Sequence, residues 1–295
     1  MSFFEELRRR YVVKVAVAYA IVGWLLIAVT RFGRHAFLGA AIGGCLVLSA
    51  RFAGAQEAPP ALTGMWSTTV TAVEHPDWTI EDLFACNCTP ETYEYLHELL
   101  LPENDQLSAE EIQQALRAHN QAAIQDLFTE AAREYVSVYD LADDPSIQCE
   151  YFGVFRTVLH SDPVLIEQNE ERIVIRTEDM ASDRIIYMDG RGHPEDGPLS
   201  PLGHSIGWYE GSTLVVDTVN VAANVAEDGL NIHNVDHASS IERYTLSEDG
   251  RRLHMQFTLT DPAMFREPLV LERTRLFTPD VDLLDASCES ISGQF

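Results

Sequence analysis

Four histidines in the second half of the chain, His193, His204, His233 and His237, have the side chains best suited to chemistry. Near neutral pH an imidazole can accept a proton, donate one, or ligate a metal. His204 stands just before one alternating apolar run and His237 just before another. If those runs are strands of a barrel, the two histidines sit on one rim and can face each other across its mouth. His204 and His237 are therefore the candidate acid–base pair, with Asp196 or Glu242 orienting one of them. The same residues can equally cap turns or satisfy buried carbonyls. Zinc with an open position is the other chemistry histidine clusters support. However, the His233-x-x-x-His237 spacing suits a helix while residues 231–236 read as loop, so no metal is expected.

A second set of side chains is suited to holding a ligand rather than transforming it. Trp66, Tyr187, Trp208 and His193 offer ring faces. Arg191 and Arg243 offer planar donors that can orient a carboxylate or phenolate. Arg191 follows an Asp189-Gly190 turn, so a simple ion pair with a nearby carboxylate is its competing role. No cofactor is expected. Lys14 is the chain's only lysine, which removes Schiff-base chemistry, pyridoxal phosphate attachment and a phosphate-loop lysine from the body.

Charge narrows the partners. Residues 1–55 hold seven basic side chains and only Glu5 and Glu6. Subtracting these from the chain's 20 basic and 46 acidic residues leaves 13 and 44, a net of -31. So acidic a body repels phosphate backbones, so nucleic acid is not an expected partner.

The N-terminus points to export. Tyr11 to Val29 is apolar apart from Lys14, is long enough to span a bilayer, and follows Arg8-Arg9-Arg10. It resembles an N-terminal anchor of bacterial membrane-tethered proteins. Arg31 and Arg34, the apolar run from Ala36 to Ala50, and Ala53-Gly54-Ala55 then form a signal-peptide-like unit. The expected organisation is an anchor over 1–30, a signal-like segment over 31–55, a linker over 56–61, and a domain over 62–295. The expected location is the periplasmic side of the inner membrane, or secreted, with the membrane engaged through the anchor. The body's four cysteines, Cys86, Cys88, Cys149 and Cys288, fit disulfides in an oxidising compartment. Cys86 and Cys88 look too close for an easy mutual bond, so each is expected to reach a distant partner.

The elements that must position these residues follow from hydrophobic period. A β-branched run containing Trp66 opens the body. Residues 78–145 then read as a helical insertion, with a short helix after Thr89-Pro90 and a longer one from the capping box at Ser108 to about Val138. Ile112, Leu116, Ala123, Leu127 and Ala131 mark its apolar stripe. From Asp162 the period is two, giving strands over 164–168, 172–177, 184–188, 205–209, 213–219, 240–246, 253–260 and 268–277. With the first strand this predicts a mainly β, lipocalin-like antiparallel meander of eight to ten strands. Such a meander closes into a barrel to avoid open edges, and an interior of that size can hold one small ligand.

The stretch GHSIGWYEGSTLVVDT, Gly203 to Thr218, resembles a family of uncharacterised exported bacterial proteins. The resemblance runs upstream through Arg184–Arg191, His193-Pro194 and Asp196, and downstream through His237, Ser239, Glu242-Arg243-Tyr244 and Asp261-Pro262. The chain departs from that pattern at Tyr209, where the family has Trp, and at Ser212, where it has Asp. The resemblance implies an exported β-rich domain and brings no reaction with it.

The leading expectation is a domain that binds a small apolar molecule in the barrel. Its competitor is an enzyme using histidine and carboxylate acid–base chemistry in the same cavity, as an isomerase, cyclase or hydrolase. A third possibility is an envelope interaction protein, using the exposed face of the 108–138 helix.

Overall fold

Nine strands close into a barrel in the computed structural model, which describes residues 60–68, 79, 81–84, 86–150, 152–178, 183–227 and 229–284. The strands are β1 (Gly64–Ser67), β2 (Val164–Gln168), β3 (Arg172–Thr177), β4 (Arg184–Tyr187), β5 (His204–Glu210), β6 (Thr213–Val219), β9 (Ser239–Leu246), β10 (Arg252–Thr260) and β11 (Leu269–Phe277). A separate two-stranded ribbon, β7 (Asn224–Glu227) and β8 (Ile232–Asn234), interrupts the path from β6 to β9. Residues 231–236, read from the sequence as loop, therefore include a strand. The anchor, the signal-like segment and Cys288 lie outside the described residues. No described helix is long and apolar enough to cross a membrane.

Around the barrel the order is β1-β11-β10-β9-β6-β5-β4-β3-β2. An odd ring cannot alternate direction all the way round, so one neighbouring pair must run parallel. That pair is β4 and β5, where Ile186 faces Ser205 and Tyr187 faces Ile206. A parallel pair cannot be joined by a tight hairpin. Residues 188–203, the long segment between these two strands, make the connection as a crossover.

Alternation sorts side chains by face. Leu253, Met255, Phe257 and Leu259 on β10, with Val164, Ile166, Ile173 and Ile175 on β2 and β3, are buried and form the inner wall. Trp66 closes the seam where β1 pairs with both β2 and β11. Its indole donates to the Leu62 carbonyl at 2.9 Å and meets Phe277 edge-on.

The helical insertion has three α-helices: α1 (Pro90–Leu99), α2 (Ala109–Leu127) and α3 (Glu130–Val138). The single long helix expected from Ser108 to Val138 is broken. Phe128 is extended, and the Thr129 hydroxyl caps a new helix by accepting from Ala132 N. The break is tied to the β10–β11 turn: Thr129 N donates to the Met264 carbonyl, and Arg266 N to the Leu127 carbonyl. The buried stripe of α2 is Ile112, Leu116, Asn120 and Ile124. Asn120 bonds Thr89 N and the Asn87 carbonyl, which holds the Cys86–Cys88 loop in place.

That loop corrects the cysteine expectation. Cys86 and Cys88 are bonded to each other, their Cα atoms 5.2 Å apart, within the normal disulfide range. Cys149 is also disulfide-bonded. A fourth helix, α4 (Val154–Leu159), has no counterpart in the sequence reading. All six of its residues are buried.

Candidate functional site

Two polar clusters lie on opposite sides of the barrel wall, and the sequence residues divide between them. On β5 the burial alternates so that Ser205, Gly207 and Tyr209 face inward, while His204, Ile206 and Trp208 face outward. Gly203 sets this phase. Its φ of +61° is left-handed, and a Cβ there would come 2.6 Å from the Val219 carbonyl.

His204 thus stands on the outer wall beneath the crossover. Its Nδ1 is 2.8 Å from Nδ1 of His193, whose Nε2 lies 3.4 Å from Asp217 Oδ2. Tyr187 stacks on His204 at 5.3 Å, and the Arg191 guanidinium sits 3.9 Å above the Tyr187 ring while binding Asp189. Burial is the main cause lowering the His204 pKa, with the His193 and Arg191 charges adding to it. The Arg191 bond, more than any other cause, holds Asp189 down at about 2. With one imidazole donating and the other accepting, His193 and His204 share a hydrogen bond, while His193 Nε2 lies near Asp217 without one. The shared bond fastens the crossover to the barrel.

The facing pair of His204 and His237 does not form. His237 is an exposed turn residue with a φ of 68°, and its backbone N–H donates to the Val221 carbonyl. Asp196 is exposed on the crossover, and the carboxylate beside the imidazoles is Asp217. His233 is buried in the β7–β8 ribbon between the rings of Tyr135 and Tyr139. Trp208 and Arg243 are outer-wall residues that both bind Glu210. Tyr209, at the end of the strand expected over 205–209, points inward and accepts from Gln168.

Glu242 belongs to the inner cluster. It is fully buried and accepts both terminal nitrogens of Arg184, at 2.8 and 2.7 Å. The Tyr244 hydroxyl donates to the same carboxylate at 2.7 Å, and Ser205 and Thr218 receive further Arg184 donors. Opposite this pair, Arg273 and Arg275 extend inward from β11. Arg275 donates to the Asp162 carbonyl at 2.7 Å and the His160 carbonyl at 2.7 Å, and Arg273 also donates to His160. Asn87 caps the Leu159 carbonyl. These side chains satisfy the open C-terminal end of α4, whose partial negative charge favours cations.

Between the two groups is a cavity of about 20 Å3, room for about one water. Arg184, Tyr244, Arg275 and Thr157 form its polar side, and Val164, Ile166, Ile175, Leu253 and Met255 its apolar side. No histidine lines it. Sequence reasoning missed Arg184, Arg273 and Arg275 as site residues, although a signal was present. In Leu269-Val270-Leu271-Glu272-Arg273-Thr274-Arg275 the two arginines share the parity of Leu269 and Leu271, the inward face.

Fold and site together define a closed, mainly β barrel domain with a cationic interior and a helix packed at its cavity. Compared with known proteins, the chain matches no family model, no curated protein and no solved structure.

Proposed function

We propose that the protein is an exported binding domain that takes a small, mainly apolar molecule into the barrel, held at the periplasmic face of the inner membrane by its N-terminal anchor. The observation that carries this reading is the two-sided cavity, apolar along β2, β3 and β10 and polar at Arg184, Tyr244 and Arg275. Burying charged groups is costly, and a barrel needing only stability is better filled with apolar side chains. The volume now open is far below the several hundred Å3 of a typical ligand site, so uptake requires α4, which contributes Thr157 and Val158 to the lining, to yield. The short disulfide loop and the anchor-like N-terminus support the location.

Native mass spectrometry of the full chain, released from detergent micelles after incubation with 1-dodecanol, tests this. One bound dodecanol per chain is expected, with occupancy strongly reduced by Ile175→Phe, which fills the apolar side. Absence of an adduct, or equal adducts on both proteins, would overturn the reading.

A further inference from the structure

Resting on that reading, we infer that the ligand carries a carboxylate headgroup, which Arg275 and Arg273 receive in place of the α4 carbonyls. Arg184 is charge-matched by Glu242, but neither Arg273 nor Arg275 has a carboxylate at ion-pair distance among the described residues. Both are about 5% exposed. The chain has 46 acidic residues to 20 basic ones, so carboxylates are abundant, yet the hydrogen bonds of these two guanidiniums go to main-chain oxygens, with Glu227 and Asp162 acting on them only from beyond ion-pair distance.

A buried cation satisfied by neutral carbonyls retains most of its desolvation cost. Burial, followed by repulsion from Arg275, lowers the Arg273 pKa to about 9; burial likewise lowers Arg275 to about 10. In addition, Arg273 Nε is buried without a hydrogen-bond partner. An anion reaching these groups would relieve repulsion, supply the missing acceptor, and match the fork geometry of a guanidinium. Arg275 lines the cavity opposite the apolar wall. A molecule with its head at Arg275 and its body along Ile166, Ile175 and Leu253 would satisfy both sides. A compact monoanion suits this confined space, which points to an alkyl monocarboxylate.

The test compares three ligands of equal chain length on the full chain by native mass spectrometry: dodecanoate, 1-dodecanol and dodecyltrimethylammonium. The expected order is dodecanoate tighter than dodecanol by about tenfold, the size of a charge-assisted hydrogen bond, with the ammonium weakest. Arg275→Gln keeps donors for the carbonyls while removing the charge. It should bring dodecanoate to within about threefold of dodecanol. If dodecanol binds as well as dodecanoate, the carboxylate inference falls and the apolar-ligand reading stands. If none of the three binds, both fall. A dodecanoate preference surviving in Arg275→Gln and in Arg273→Gln would also overturn the inference. Where a variant fails to fold, the wild-type ligand order still decides between these outcomes.

Discussion

Arg184 and Glu242 are the most fully buried ion pair among the described residues, at 1% and 0% side-chain exposure. Their contribution depends on the pair remaining whole. Removing one partner leaves an uncompensated charge among Tyr244, Ser205 and Thr218, at a cost of about 3–5 kcal/mol, whereas replacing both with apolar groups can be nearly neutral. We therefore expect Arg184→Met to lose most of that amount in urea unfolding, and Arg184→Met/Glu242→Leu to recover the greater part of it. Similar losses in the single and double variants would mean that the hydroxyl network, not charge pairing, sets the cost. At this scale the sequence is readable through parity. Glu242 and Tyr244 share a face, as do Arg273 and Arg275 with Leu269 and Leu271. Histidines attract attention by their chemistry, but strand parity sends His204 outward and these arginines inward.

Elements whose ends are satisfied locally could be read directly unless an apolar stripe ran on past the cap; those satisfied from afar could not. Ser108 and Glu111 form their capping box within a few residues, and the start of α2 was legible for that reason. Thr129 is an equally local cap, but the apolar steps through Leu127 and Ala131 carried the helix past it. Helix α4 is the opposite case. Its sequence, VFRTVL, favours a strand as much as a helix, and its last carbonyls are held by Asn87, Arg273 and Arg275 from distant elements. A helix held this way should loosen when an anion takes its arginines. Hydrogen exchange over residues 157–160 should accelerate about tenfold with bound dodecanoate, equivalent to about 1.4 kcal/mol of local stability, while β10 amides stay unchanged. Increased protection of α4 would mean that the ligand seats without displacing it.

For the whole molecule, the nine-strand count followed from alternating runs separated by turns, but closure added a constraint that no single strand carries. An odd ring needs one parallel pair, and the crossover that joins it covers the outer wall with His193. The ribbon between β6 and β9 buries His233 at 3% exposure, facing Tyr135, Tyr139 and, more distantly, Asp144, with its Nε2 2.8 Å from Asn231 Oδ1. Burial lowers the His233 pKa to about 4, against a weaker opposing effect of Asp144, and His204 is lowered as well. Above pH 6.5 these imidazoles are neutral in both folded and unfolded chains and contribute no pH dependence. Between 6.5 and the lowered folded values, about 4 for His233, the unfolded chain binds protons that the fold refuses, so stability falls as pH falls. For His233 the loss is about 3 kcal/mol at most, and below pH 4 it stops growing. The lowered carboxylates, such as Asp144, act in the same direction but at lower pH, as they protonate. Urea unfolding at pH 7, 6 and 5.5 should therefore show declining stability before most carboxylates titrate. His233→Phe keeps a ring between the two tyrosines and removes the titration, so its stability should decline less over that range; an equal decline would place the acid sensitivity elsewhere in the fold.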